Sequence, residues 1–140
     1  MKILYQGNEG AYSQLAAEEI FPQAKLISCK TFENCFKQCA NDENLRTIIP
    51  IENSIAGRVA DIQYLMNKYK LQIYAEHFHK VSHNLMSVKG AQLKDIKSVR
   101  SHSQAISQCQ KIINENNLEP IIAADTAGSA KFISENLKKD

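Results

Sequence analysis

The sequence predicts an α/β fold with a largely parallel sheet, and three observations carry that expectation. Short β-prone runs alternate with amphipathic stretches of helical length almost from end to end, the pattern of strand–helix–strand units. The 140 residues suffice for one compact domain, or for two small lobes of roughly 60–75 residues each. The rhythm breaks once, over Leu71–Val88, where two strand-like runs follow each other with no helix between them. A chain can cross there from one lobe to another, which places a hinge near His77–Lys80 and lobes at residues 1–78 and 79–140.

The elements follow in order. Lys2–Tyr5 reads as a strand and Gly7–Gly10 as a turn. A helix carrying Leu15, Ala16 and Ile20 stops near Pro22, which cannot continue it. Lys25–Ser28 is a strand, and Thr31 is placed to cap the next helix. That helix presents Phe32, Cys35, Phe36, Cys39 and Ala40 at i, i+3, i+4, i+7 and i+8, one buried face. Thr47–Pro50 is a strand of buried-type residues, and Asn53-Ser54 is expected to open a helix with Val59, Ile62 and Met66 on one side. Leu71–Phe78 and Leu85–Val88 read as strands. The second half repeats the rhythm: strand Ser98–Val99, helix Gln104–Ile113, strand Pro120–Ala124, helix Thr126–Leu137.

Composition is that of an ordinary globular protein, 44% hydrophobic and 23% charged, with a net charge of +2 spread along the chain. Without a clustered basic face, neither nucleic acid nor a membrane surface is the expected partner. No apolar run approaches the roughly 20 residues of a membrane span, and the N-terminus lacks the layout of a signal peptide. A cytoplasmic protein is expected. Cys29, Cys35, Cys39 and Cys109 form no zinc pattern and read as reduced thiols, small hydrophobes in the core.

Chemistry in open α/β sheets gathers beyond the carboxyl ends of strands, where loops enter helix N-termini. Four such junctions are rich in small and polar residues: Gly7–Ser13, Pro50–Gly57, Ser101–Gln104 and Asp125–Ala130. Backbone N–H groups at a helix start, aided by the helix dipole, suit an anion. Each junction alone reads equally as an N-cap; four together, two in each half, point to a two-lobed binder of a small anion such as a dicarboxylate.

At the same junctions the sequence resembles the prephenate dehydratase family. Tyr5-Gln6-Gly7-Asn8-Glu9-Gly10-Ala11-Tyr12-Ser13 with Ala16-Ala17 is similar to its first signature, and Pro50-Ile51-Glu52-Asn53-Ser54-Ile55-Ala56-Gly57-Arg58-Val59 to its central one. His83-Asn84-Leu85-Met86, Ser101-His102-Ser103-Gln104-Ala105 with Gln108-Cys109, and Asp125-Thr126-Ala127-Gly128-Ser129-Ala130 resemble three further motifs, in family order. The resemblance implies a fold like the type 2 periplasmic binding proteins: two α/β lobes, mostly parallel sheets and an inter-lobe cleft. It implies decarboxylation and dehydration of prephenate to phenylpyruvate in phenylalanine biosynthesis, with no cofactor and no metal. The oligomeric state is left open, a homodimer included.

Carried over by position, Asn53, Gln108 and Glu52 are the expected catalytic residues. Asn53 and Gln108 would hold the substrate, and Glu52 would orient neighbours or shape the local field. Ser101 and Ser54 would contact the substrate. Ala11, Tyr12 and Ser13, with Thr126, Ala127, Gly128 and Ser129, would offer backbone and hydroxyl donors to a carboxylate. His83 and His102 are expected to be structural hydrogen-bonders. His77 and His79 have the spacing of a metal pair on one side of a strand, but two ligands without a third are too few. They are expected to be structural or solvent-facing.

Two departures from the family pattern stand out. Ser103 replaces the family's usual proline, a mild change because serine also starts a helix well. The family continues into a threonine-arginine-phenylalanine segment and an ACT regulatory domain, whereas this sequence ends at Asp140. A truncated chain with impaired dehydratase activity is therefore expected. Two other readings compete: a non-catalytic small-carboxylate binder or sensor on the same fold, and an interaction module with an open sheet edge.

Overall fold

The structure, a computed structural model, describes residues 1–136. It divides into two compact units, Met1–Val81 and Ser82–Asp140, whereas the sequence predicts a division after Phe78.

The first unit runs β1 (Lys2–Gln6), α1 (Tyr12–Ile20), β2 (Lys25–Cys29), α2 (Phe32–Asn41), β3 (Leu45–Ile48), β4 (Glu52–Asn53), β5 (Gly57–Arg58) and α3 (Ala60–Tyr69). The first three strands form a parallel sheet in the order β2-β1-β3. Side chains of β1 alternate between its faces. Leu4 packs in a buried cluster with Cys29, Cys35 and Leu45, under α2. Tyr5, on the other face, reaches α1 through its hydroxyl, which donates to Gln14 Oε1 at 3.3 Å. Ala16 and Ala17, the buried residues of α1, let that helix lie close to the sheet.

Helix α2 starts as its sequence directs, the Thr31 hydroxyl accepting the Asn34 N–H at 3.1 Å. Phe36 packs with Ile62 and Leu65 of α3, so α2 buries one edge on the sheet and the other on α3. Of its expected buried face, Ala40 is exposed. It sits in the last turn, where the apolar stripe has run off the sheet.

Three sequence expectations are corrected in this unit. Strand β3 begins two residues earlier than expected, at Leu45, and ends at Ile48. Asn53-Ser54 does not open a helix: Glu52 and Asn53 pair with Arg58 and Gly57 in a small antiparallel hairpin. Helix α3 starts only at Ala60, after Val59, with no side-chain cap. The run Leu71–Phe78 joins no strand ladder among the described residues, leaving Tyr74 and Phe78 more than 80% exposed. Strand propensity measures fit to a pleated neighbour, and without one it produces no strand.

The second unit contains β6 (Ser98–Ser101), α4 (Ser103–Gln108), α5 (Gln110–Glu115), β7 (Glu119–Ile122) and α6 (Thr126–Asn136). The two strands pair in parallel, Ser101 opposite Ile122, over a core of Ile106, Ile113 and Leu118. The single helix expected at Gln104–Ile113 is kinked at Cys109, whose N–H reaches both Ala105 O and Ile106 O at 3.1 Å. The ladder resumes with Ile113 N–H to Cys109 O at 3.2 Å. The expected strand Leu85–Val88 is again unpaired among the described residues, and Leu137, the expected end of the last helix, lies outside them.

All four cysteines are free thiols. Burial, with Cys29 beside it, pushes the Cys35 thiol up to about 12, so it holds almost no thiolate at neutral pH, and the thiolate is the nucleophile. Cys35 is expected to resist a disulfide reagent at pH 8 in the folded chain and to react once urea unfolds it. Rapid modification of native Cys35, located by mass spectrometry, would contradict this packing.

Candidate functional site

In the first unit, β1 is the central strand, and the two loops leaving the carboxyl ends of β1 and β3 emerge side by side. In a 2-1-3 sheet this is the topological switch point, where neighbouring crossovers run in opposite directions and leave a crevice. The loops concerned are Gly7–Ala11 and Ile49–Gly57, the first two polar junctions of the sequence.

The first loop is shaped by glycine. Gly7 has φ +115° and Gly10 φ +85°, a region that L-residues with a Cβ avoid. A Cβ on Gly7 would also lie 3.1 Å from the Ala11 Cβ. Gly7→Ala is expected to cost about 1–3 kcal/mol, more than Gly57→Ala, where φ is +80° but the space is open; urea unfolding of both variants checks the order. The loop closes on α1 through Gln14, whose Oε1 accepts the Gly10 N–H at 2.8 Å. No side chain caps α1, so its first N–H groups depend on neighbours outside the helix. Ala11 N–H donates to Asn8 O at 3.1 Å, and Tyr12 and Ser13 follow it as the first residues of α1.

The second loop is organised by Asn53. Its Oδ1 accepts N–H bonds from both Ile55 and Ala56 at 2.9 Å, an Asx-type turn. With the carbonyl used internally, the amide Nδ2 is the group that remains to donate to a ligand. Ser54 and Glu52 are exposed on the same hairpin. The hairpin is not itself a helix start, so what it offers a ligand is its side chains rather than the free N–H groups of a helix.

In the second unit the ends of β6 and β7 bring the third and fourth junctions together. The Ser101 hydroxyl donates to Thr126 Oγ1 at 3.2 Å, and Ala123 N–H reaches Ser101 O at 2.8 Å. His102 caps α4, its Nδ1 accepting the Gln104 N–H at 3.2 Å; this is a structural hydrogen bond, as expected for that residue. Gln108 is half-buried at the end of the same helix.

The fourth junction caps itself. Asp125 Oδ1 accepts the Gly128 N–H at 2.5 Å, and the buried Ser129 hydroxyl donates to Asp125 O at 2.7 Å. The N–H of Gly128 and the hydroxyl of Ser129, both expected to serve a substrate carboxylate, are engaged inside the turn. A carboxylate already occupies the positive end of α6. Thr126 and Ala127 remain as the donors of this turn. Gln14 is the residue that sequence reasoning misses; its signal is its position four residues after Gly10.

Among known families, the model described as prephenate dehydratase matches residues 3–140. The chain is 36% identical over 138 residues to a bifunctional N-acyl-homoserine lactone acylase/prephenate dehydratase of Komagataeibacter europaeus, covering 99% of this chain and 49% of that protein. It is 34% identical to arogenate dehydratase 2 of Petunia hybrida, covering 100% of this chain and 36% of that one. The crystal structure of a prephenate dehydratase from Staphylococcus aureus superposes with a TM-score of 0.81 at 25% identity, over 95% of this chain and 51% of that one. The chain thus spans about half or less of the length of these relatives.

Proposed function

The chain belongs to the prephenate dehydratase family, and on that premise we propose that it acts in phenylalanine biosynthesis, binding prephenate for loss of carbon dioxide and water to give phenylpyruvate. The observation that carries the proposal is the pairing of the two signature loops at the β1/β3 switch point, with the Asn53 amide left as a donor.

The reaction asks little of covalent chemistry. The ring hydroxyl must leave as water while the ring carboxylate departs as carbon dioxide, so a proton donor beside the hydroxyl and fixed partners for two carboxylates are sufficient. In this reading Tyr12 and Ser13 present the α1 start to a carboxylate, and Asn53 Nδ2 donates a hydrogen bond to the substrate. Ser54 and Glu52 border it on the hairpin, Glu52 orienting its neighbours. In the second unit, taken by itself, Ser101 and Thr126 form a linked hydroxyl pair, and Ala127 and Gln108 are that unit's further candidate substrate contacts. Ala11, Gly128 and Ser129 hold the turns in shape through the bonds they already make. No helix of the described residues is long and apolar enough to cross a membrane, and a cytoplasmic location suits this biosynthetic role.

Incubation of the purified chain with prephenate, and separately with arogenate, tests the proposal. Phenylpyruvate from prephenate is the expected product. Saturable binding with no product would favour a carboxylate-binding module on the same fold, and no response to either compound would remove the reading.

A further inference from the structure

On α1 and the run after α3, the first unit gathers three ligand-bearing side chains that are remote in sequence. Glu19 Oε2 lies 2.8 Å from His77 Nε2 and 3.0 Å from His79 Nδ1, and one ligand atom from each residue falls within 4.8 Å of the others. The histidines come from the extended run after α3, where residues i and i+2 share a side. Glu19 comes from α1. The third ligand that the sequence spacing of His77 and His79 lacked is thus supplied across 58 residues of chain.

We propose that Glu19, His77 and His79 form a site for a divalent transition-metal ion of the zinc class, which clips the unpaired run Leu71–Phe78 onto α1. Two imidazoles and one carboxylate are the donor set that zinc and its first-row neighbours prefer, whereas magnesium and calcium require oxygen ligands. Tetrahedral zinc at about 2.0–2.1 Å from each ligand sets its donor atoms about 3.3 Å apart. The two separations from Glu19 need to open by only a few tenths of an ångström, and the two histidine nitrogens lie within 4.8 Å of each other. Each imidazole binds as the neutral ring, its remaining proton on the nitrogen that turns away from the ion. Water completes the shell, because the Glu19 and His77 side chains are 51% and 32% exposed. The Tyr12 ring stands 5.8 Å from that of His79 and restricts its rotation.

The clip has a reason to exist. Leu71–Phe78 joins no strand ladder among the described residues, so local backbone pairing does not hold it in place. An ion joining it to α1 closes a long loop and stabilises the folded state by its own binding energy. This inference is independent of the substrate reading.

Chelator-treated chain titrated with zinc chloride, and with cobalt(II) as a spectroscopic substitute, tests the proposal. One zinc per chain is expected, with a higher melting temperature and intensified visible cobalt bands of low coordination number. Glu19→Gln and the double variant His77→Ala/His79→Ala should each weaken binding at least tenfold, and zinc should no longer raise the melting temperature of the double variant. His102→Ala should bind as the parent does. Circular dichroism of each variant without metal separates loss of the site from loss of the fold. Absence of zinc binding, or undiminished binding in a folded double variant, would overturn the proposal.

Discussion

Asn53→Asp is expected to leave the fold intact and to weaken prephenate binding at least 30-fold. The aspartate keeps an oxygen where Oδ1 accepts the Ile55 and Ala56 N–H groups, so the hairpin turn survives. It replaces the Nδ2 donor by a second anionic oxygen facing a dianionic substrate. Losing a hydrogen bond to a charged acceptor costs about 2 kcal/mol, roughly 30-fold, before any repulsion is added. Asn53→Ala makes a different change: it removes the acceptor too and should also lower stability by about 1–2 kcal/mol. Calorimetric titration and urea unfolding of the pair separate the donor from the turn. Equal affinity in Asn53→Asp and the parent chain would show that the amide does not touch substrate.

Phe36→Ala is expected to be the most destabilising single truncation in the first unit, at about 3–5 kcal/mol. The ring is 1% exposed and joins α2 to Ile62 and Leu65 of α3, with Tyr69 at 6.2 Å. Against a typical domain stability of about 5–15 kcal/mol, this loss removes a large share of the margin. By contrast the Lys68–Glu33 ion pair between the same helices, at 2.6 Å, has both partners 42–50% exposed and should contribute little. The lower urea midpoint of Phe36→Ala, set beside a near-parental midpoint for Lys68→Ala, checks that ranking. A Phe36→Ala loss below about 1 kcal/mol would mean that α2 and α3 are not packed as described.

Much of this was legible in the residues. Cys35 and Phe36 fall one after the other on the apolar stripe of α2, and Thr31 announces its start. The glycines of the first loop mark a turn that only they can make. Legibility ended where two uses of one residue type compete. Asn53-Ser54 has the composition of both a helix cap and an Asx turn; pairing between Glu52 and Arg58 decided for the hairpin, while the true start at Val59-Ala60 carries no capping side chain to advertise it. Asp125 similarly reads as a cap or as part of an anion site, and its bond to Gly128 decides for the cap. Glu19 could not be paired with His77 and His79 from spacing, because only the path of the chain after α3 brings them together.

The site account therefore rests less on helix dipoles than the sequence suggested and more on side-chain donors at the β1/β3 switch point. Calorimetric titration of the chain with prephenate, run beside Asn53→Asp, tests it most directly. The account predicts saturable one-to-one binding by the parent chain and at least 30-fold weaker binding by the folded variant. Absence of saturable binding by the parent chain, or equal affinity in the two, would contradict it.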